Sequence, residues 1–248
     1  MPDILIDAMG STLHLTLNRP AKKNALTPDM YTVLANSLND AAGDFSIRTV
    51  VISGAGGAFT GGNDIGDFLN TPPNGADSPV FQFLYAIHAF PKPLLAAVSG
   101  NAVGIGTTML MHCDLAYAGA DALFSMPFVS LGLIPEAGSS LLFPKLVGHV
   151  KASEIFLTGR NFGAQEALEM RLINQIADDP VAAALEMARI IGEQPPTAVI
   201  NTKALLKSGH HEAVTRVMEV EGELFRIALE SDEARMAFMN FLSKRAQG

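Results

Sequence analysis

PLLAAVSGNAVGIGTTMLMHCDLAYAGADALFSMPFVSLGLIPEAGSS, residues 93–140, is a pattern of apolar runs broken by glycines. The first run ends in a glycine cluster at Gly100, Gly104 and Gly106, and the second leads to an isolated acid, Glu136. An apolar run that ends in a glycine turn is typical of a buried strand followed by a loop with accessible backbone N–H groups. The loop and the acid are therefore the first candidates for a functional site.

The unit of strand, glycine loop and helix occurs twice. Residues 49–52, TVVI, form a short continuous apolar run, typical of a strand buried on both faces, and lead into the glycine-rich residues 54–64. An amphipathic helical pattern over 79–90 connects this unit to residues 93–140. Repeated units of this kind predict the α/β class with mostly parallel strand pairing.

Weaker signals predict the remaining elements. The alternation of Ile4, Ile6, Leu13, Leu15 and Leu17 predicts a hairpin with one buried face. The other predicted elements, in chain order, are a helix that starts after the cap Thr27-Pro28-Asp29, a buried helix over 107–112, strands over 122–124 and 129–134, and helices over 164–170, 180–191, 197–208, 211–229 and 232–245.

Strand signals vanish near residue 180, which divides the chain into two regions. We expect an α/β core over 1–192 that holds the site and a helical region over 193–248 that serves oligomerisation. The last helices either pack on a neighbouring subunit or fold back on their own core, and the pattern favours neither. The apolar face of the last helix consists of Ala234, Phe238, Phe241 and Leu242.

Composition limits the classes of protein to consider. The 248 residues are 48% hydrophobic and 17% charged, enough to bury a full core as one large domain or as one domain with a helical appendage. A net charge of −8 argues against a nucleic-acid surface. The single cysteine, Cys113, excludes an internal disulfide and fits a reducing compartment. With no targeting pattern and no apolar run of membrane-spanning length, a soluble cytoplasmic protein is expected.

Several common site motifs are absent. The glycine loops fail the dinucleotide fingerprint, because Phe59 and Met109 occur where a third glycine is needed. Neither a phosphate-binding loop, a nucleophile elbow nor a zinc-binding helix is present. Histidines without ligand spacing, expected to be structural, are His14, His88, His112 and His149. No metal and no separate cofactor are predicted.

The glycine loops are instead suited to donate backbone N–H groups. The glycines at 61, 62, 104 and 106 permit close backbone approach, which leaves the amides of Asn63 and Ile105 free to converge on one oxygen. The predicted helix over 107–112 would add its positive dipole end at the same point. The alternative is that both loops are ordinary tight turns of an α/β fold.

Four blocks of sequence occur in an order and spacing that identify a family. They are NRPAKKNAL (18–26), AFTGGNDI (58–65), AAVSGNAVGIG (96–106) and LTGR (157–160). Together they resemble the enoyl-CoA hydratase/isomerase (crotonase) family over nearly the whole chain. The resemblance implies a spiral of repeated ββα units with a C-terminal helical trimerisation region, assembled as a homotrimer or a dimer of trimers. It also implies an acyl-CoA substrate, coenzyme A being part of the thioester, with the carbonyl between the amides of Asn63 and Ile105.

The sequence departs from the hydratase pattern at the acids. By alignment of the motifs, the two glutamates that activate water in the hydratases would fall at Thr108 and Phe128, and neither residue is acidic. Glu136 occurs where hydratases tend to have glycine, and in this it resembles the peroxisomal-type Δ3,Δ2-enoyl-CoA isomerases. The resemblance implies that Glu136 moves a proton from C2 to C4 as the single base. The alternative is that Glu136 only favours the first turn of a helix over 139–147.

Two other functions remain open at this point: hydration of a 2-enoyl-CoA, and binding of an acyl-CoA with little catalysis. The residues expected to contact the substrate are Lys22, Ala58, Gly61, Gly62, Asp64, Ile65, Gly104, Phe128 and Leu133, with Phe68 in the acyl wall. Basic residues that are candidates for the CoA phosphates are Lys22, Lys23, Lys203, Lys207, Lys244 and Arg245.

Overall fold

A computed structural model describes residues 1–64, 66, 75 and 77–246, without the side chains of residues 241, 242 and 244–246. Ile65 and Phe68, both expected above at the substrate, lie outside the described residues, as do the side chains of Phe241, Leu242, Lys244 and Arg245.

The strands are β1 (Ile4–Met9), β2 (Thr12–Leu17), β3 (Thr49–Gly54), β4 (Leu94–Val98), β5 (Asn101–Val103), β6 (Leu115–Ala118), β7 (Leu123–Ser125), β8 (Phe162–Gly163) and β9 (Gln175–Ile176). The helices are α1 (Pro28–Gly43), α2 (Pro79–Ala89), α3 (Ile105–Thr108), α4 (Ser139–Val147), α5 (His149–Thr158), α6 (Ala164–Glu169), α7 (Pro180–Gly192), α8 (Pro196–Ser208), α9 (His211–Leu229) and α10 (Asp232–Ala246). Short 3-10 segments in the described part of the chain are Pro20–Lys22, Met109–Met111 and Val129–Leu131. Among the described residues, no helix is long and apolar enough to span a membrane.

The strands of the described residues form two sheets. The larger has the order β1-β2-β3-β4-β6-β9 and is parallel except for the β1–β2 hairpin. The smaller has the order β5-β7-β8, with β5 and β7 parallel. The prediction of an α/β fold with mostly parallel pairing is therefore confirmed.

Both faces of the larger sheet are covered, which explains the uninterrupted apolar runs of β3 and β4. Val50 and Ile52 of β3 point into the main core with α1 and α2, whereas Val51 points to the opposite face because side chains alternate along a strand. On that face a second cluster packs against α7, and its buried members are Val51, Leu95, Ala97, Tyr117, Ala184 and Ala188.

Helix α1 begins as predicted. Thr27 accepts a hydrogen bond from the Met30 amide, and Pro28 occupies the first turn. The helix then buries Tyr31, whose ring lies 5.5 Å from that of Phe83 on α2. Helix packing thus holds the Tyr31 hydroxyl inside the protein.

Three local predictions were wrong. The hairpin has no continuous buried face, because β1 is the edge strand of the sheet and Ile6 is 51% exposed. Residues 129–134 form no strand: Val129–Leu131 are a 3-10 turn, which ends where Gly132 takes a φ of 68° and packs closely on the backbone of Ala234. The helix predicted over 107–112 starts earlier, at Ile105, and changes to a 3-10 segment after Thr108.

The C-terminal helices fold back on their own core and also keep an apolar outer surface. Val214, Met218 and Phe225 of α9 are buried, as are Ala234 and Phe238 of α10. Large apolar side chains that stay exposed on these helices are Leu205, Leu206, Val220, Leu224, Ile227, Met236 and Met239.

Candidate active site

Backbone pairing joins the two glycine loops. Thr60 donates its N–H to the Asn101 carbonyl at 2.9 Å and accepts from the Val103 N–H at 3.0 Å. Gly62 lies so close to β5 that a Cβ at this position would be 3.0 Å from the Val103 carbonyl oxygen. The loop after β3 and the turn after β5 are therefore held side by side.

The amide of Asn63 points away from its neighbouring chain. Leu26 donates to the Gly62 carbonyl at 2.8 Å and accepts from the Asp64 N–H at 2.9 Å. Leu26 thus bonds to the residues on both sides of Asn63. In such a parallel bridge, the residue between the two bonded residues directs its own N–H away from the partner segment. Asn63 also lines a cavity, called the main cavity below, whose wall includes Gly104, Ile105 and Phe128.

Ile105 supplies the second amide. It is the first residue of α3, so its N–H has no preceding helical turn to bind. The preceding residue, Gly104, has φ 56° and ψ −115°, a conformation that side chains oppose and glycine tolerates. Both Gly104 and Ile105 line the same cavity as Asn63.

This cavity measures about 640 Å³. Predicted site residues that line it are Gly61, Gly62, Asn63, Gly104, Ile105, Phe128 and Leu133. Phe225 and residues of α10, among them Met236 and Phe238, complete the wall. The structure therefore brings most of the predicted residues together and adds a wall from the C-terminal helices.

Glu136 lies in a smaller adjoining void of about 20 Å³. Asn63 and Phe225 line both spaces, so they form the boundary between the acid and the main cavity. The Thr108 hydroxyl donates a hydrogen bond of 2.5 Å to Glu136 Oε1. The void is otherwise largely apolar, with Phe81, Leu84 and Met218 among its residues.

The surroundings of Glu136 favour its protonated form. Although part of the residue is exposed, its carboxyl group is enclosed by protein atoms, and this burial raises its pKa to about 8. The hydrogen bond from Thr108 opposes the shift, and the nearby carboxylate of Glu221 adds to it. Burial and the charge of Glu136 also raise the pKa of Tyr31, whose hydroxyl donates to Asn63 Oδ1.

The sequence model of the enoyl-CoA hydratase/isomerase family matches residues 7–247. The chain belongs to this family. A curated relative, 2,3-dehydroadipyl-CoA hydratase of Escherichia coli K12, is 32% identical over 99% of this chain and 97% of its own length. The enoyl-CoA delta isomerase 2 of Rattus norvegicus is 34% identical over 98% of this chain. The chain spans 64% of the length of that isomerase.

Solved structures share this architecture. OdaA from Pseudomonas aeruginosa superposes with a TM-score of 0.95 at 43% identity, over 97% of this chain and 99% of its own. An enoyl-CoA hydratase/isomerase from Pseudoalteromonas atlantica has a TM-score of 0.94 at 38% identity, over 98% of both chains. The chain therefore has the crotonase fold, as the resemblance implied.

Other residues of the family motifs have structural contacts in this chain. The Asp64 carboxylate accepts from Arg19 at 3.2 Å, and the Ala58 carbonyl accepts from the Asn24 side chain at 2.7 Å. Neither Asp64 nor Ala58 lines the main cavity. Lys22 is exposed in its 3-10 turn, outside the cavity wall.

Lys203, one of the candidates for the CoA phosphates, has its partners inside the protein. Its ammonium is buried, donates to the Lys92 carbonyl at 2.6 Å and pairs with Asp114 at 2.7 Å. Burial lowers its pKa to about 8. Lys207 also points inward and donates to the His112 carbonyl at 2.9 Å.

Sequence reasoning missed four residues near the site: Asn24, Tyr31, His112 and Glu221. Asn24 belongs to the quoted motif 18–26, and its left-handed φ of 55° is common for asparagine, so the motif itself was a usable signal. The other three reach the site through contacts between distant parts of the chain. In the described part of the chain, no three His, Cys, Asp or Glu residues are grouped to hold a metal ion.

Proposed function

We propose that the protein is an enoyl-CoA isomerase that converts a Δ3-enoyl-CoA into the Δ2 isomer, with Glu136 as its single base. The observation that carries the proposal is the contact of Glu136 with Thr108. The position implied for one hydratase glutamate holds a hydroxyl that orients another acid instead. The second such position holds Phe128, which presents an apolar wall to the cavity.

The reaction needs no group beyond those described. The amides of Asn63 and Ile105 bind the thioester oxygen, and Glu136 removes a proton from C2. The electrons of the C2–H bond form a C1–C2 double bond, and the carbonyl electrons move to the oxygen, giving a dienolate. When the protonated Glu136 returns the proton to C4, the C3–C4 double bond breaks, the C2–C3 double bond forms, and the carbonyl is restored. Atoms and charge balance within the substrate.

The electrostatics of Glu136 suit this role. A base is most effective when its pKa lies near the working pH, and the value of about 8 meets this condition. Glu233 also lines the main cavity, but its side chain is exposed on α10. For Glu136 to reach C2 and C4, the acyl chain crosses the boundary formed by Asn63 and Phe225.

Basic residues next to the main cavity are candidates to bind the nucleotide end of coenzyme A. Lys22 and Lys23 are exposed, and the Lys23 carbonyl accepts from the Gly61 amide at 2.7 Å, next to the main cavity. These two lysines are candidates to meet the CoA phosphates in an otherwise acidic chain. A separate cofactor forms no part of the proposal.

The assembly proposed is a homotrimer or a dimer of trimers, formed through residues 193–248. The exposed apolar side chains of α8, α9 and α10 support it, since such a surface favours association. Light scattering on the purified chain measures the mass, and a monomer at micromolar concentration would contradict the assembly.

The catalytic test compares the wild-type enzyme with Glu136→Gln on a 3-enoyl-CoA, by the ultraviolet absorbance of the conjugated product. We expect the substitution to lower kcat at least roughly 100-fold, the contribution of a positioned base, while binding of a saturated acyl-CoA by calorimetry is unchanged. Full turnover by the variant would refute the proposal.

Hydration is the second candidate, because the Escherichia coli relative is a hydratase. Rapid hydration of crotonyl-CoA by the wild-type chain would favour it. A third outcome, tight acyl-CoA binding without exchange of α-protons in deuterated water, would indicate a binding protein.

A further inference from the structure

Glu221 is a buried carboxylate from α9 that contacts the backbone next to Glu136. Its Oε2 accepts from the Gly138 N–H at 2.6 Å, and its Oε1 accepts from the Ser140 N–H at 2.9 Å. Only 4% of the residue is exposed. The first of these two amides belongs to Gly138, only two residues after Glu136. The Glu221 carboxylate therefore holds the segment that carries the proposed base.

Helix α4 depends on this contact because it lacks a cap of its own. Its N-cap residue is Gly138, which has no side chain to accept a hydrogen bond, and its first turn contains no acid. A carboxylate at a helix N-terminus binds free amides and interacts favourably with the helix dipole. Glu221 provides both effects from a different helix.

The segment between Glu136 and α4 has an unusual backbone that needs support. Ala137 and Gly138 both have left-handed φ values, 61° and 69°. For alanine this conformation costs about 1 kcal/mol, so contacts must hold it in place. The His112 ring supplies one contact, to the Ala137 carbonyl at 2.7 Å, and Glu221 supplies the next.

We propose that Glu221 is a positioning residue for the isomerisation, which holds residues 136–140 so that the Glu136 carboxylate stays against Thr108 and beside Asn63. The inference rests on the proposed role of Glu136 as the base. It assigns to the C-terminal helix α9 a role in proton transfer in addition to its packing role.

Charge adds a second link between the two acids. Among the described residues, the titratable groups that face the Glu136 segment are Tyr31 from α1, His112 directly after the 3-10 segment Met109–Met111, and Glu221 from α9. The Glu221 carboxylate raises the pKa of Glu136. Burial raises the pKa of Glu221 itself, and the hydrogen bonds from Ser140 and Gly138 oppose that shift.

The test is Glu221→Gln, with Glu219→Gln as the matched control, because Glu219 lies on the same helix but is exposed. We expect Glu221→Gln to lower kcat roughly 10- to 100-fold, as misplacement of a catalytic group does, with KM changed less than about threefold. The control should keep both constants. Circular dichroism melts establish that each variant is folded.

The second readout is the titration of Glu136 followed by carbon NMR on protein labelled at the glutamate carboxyl carbons. The Glu136 signal is identified by its absence in Glu136→Gln. Loss of the neighbouring charge should lower the Glu136 midpoint by about 0.5 to 1 pH unit. A fall in kcat with an unchanged midpoint would support positioning through the backbone contacts alone. A wild-type kcat with a lowered midpoint would overturn the inference, because only charge would then link the two acids.

Glu221→Asp separates position from charge and replaces Glu221→Gln if that variant does not fold. The shorter side chain keeps the charge but cannot reach both amides, so kcat should fall while the Glu136 midpoint stays near the wild-type value. Wild-type kcat in either folded variant would overturn the inference. If Glu136→Gln is itself fully active, the proposed function fails; if it is inactive and the Glu221 variants match wild type, only the positioning role fails.

Discussion

The Thr108 hydroxyl donates a 2.5 Å hydrogen bond to the carboxylate of Glu136, across 28 residues of sequence. Thr108 is fully buried in the short helix that also presents the Ile105 amide to the cavity. One four-residue helix therefore connects the amide proposed to bind the carbonyl with the proposed base. A change in this helix is expected to alter both parts of the site.

Thr108→Val tests this relationship with little change of volume. Removing the hydroxyl eliminates the hydrogen bond that lowers the pKa of Glu136, so that pKa should rise above about 8. The acidic limb of the kcat/KM profile should move to higher pH, with roughly a tenfold loss at pH 7 for a shift of about one unit. Thr108→Ser retains the hydroxyl and should keep the wild-type profile, whereas identical profiles for Val and wild type would contradict the role.

Glu136→Gln should also change the pH dependence of stability. The folded protein holds a proton on Glu136 up to about pH 8, whereas the unfolded chain loses it near the ordinary value of 4.5. Folded molecules therefore bind more protons between these values, and Glu136 makes stability fall as pH rises through that window. By pH 9 the Gln variant should be more stable by on the order of 5 kcal/mol, and near pH 4 the two should be nearly equal. Urea unfolding of both proteins at pH 4 and pH 9 measures this difference. The same difference in unfolding free energy at both pH values would contradict a raised pKa for Glu136.

Phe225→Ala should join the main cavity to the void at Glu136. Because Phe225 lines both the main cavity and the void at Glu136, its removal gives acyl groups more room beside the base. We expect kcat/KM for long-chain 3-enoyl-CoA esters to rise several-fold relative to short ones, at a stability cost of about 3 kcal/mol. Phe225→Leu is the milder variant, and Phe162→Leu, a buried position on β8 that lines neither space, is the control. An unchanged chain-length preference would show that the acyl chain does not approach Phe225.

Lys203→Met should destabilise the fold without weakening substrate binding. The substitution leaves Asp114 and the Lys92 carbonyl without their ammonium partner, and breaking such a pair costs about 3 kcal/mol. Since the ammonium is bound inside the protein, KM for the acyl-CoA should be unchanged. Lys23→Met, at an exposed position beside the Gly61 amide, should instead raise KM with little effect on the melting temperature. A large rise in KM for Lys203→Met would instead support Lys203 as a residue that binds the CoA phosphates.

Much of the fold could be predicted because it is encoded by local patterns. The apolar runs of β3 and β4 indicate strands covered on both faces, and the Thr27 cap indicates where α1 begins. Two of the predictions that were wrong, at 129–134 and 107–112, concern short segments whose conformation depends on contacts with other parts of the chain. The left-handed Gly132, for example, is packed against α10, about a hundred residues further along the chain.

The candidate site likewise has parts that local sequence indicates and parts that only the folded structure shows. Glycine spacing was enough to nominate the amides of Asn63 and Ile105, and the acid at Glu136 stood out in an apolar segment, because each of these signals lies within a few neighbouring residues. The partners of these groups come from far away: Tyr31 lies 32 residues before Asn63, and Glu221 lies 83 residues after Gly138. Lys203, 89 residues after Asp114, is withdrawn from the surface by the same kind of contact. Local sequence therefore specifies which groups are available for chemistry, whereas the burial and charge that set their proton affinity arise only when distant helices pack around them.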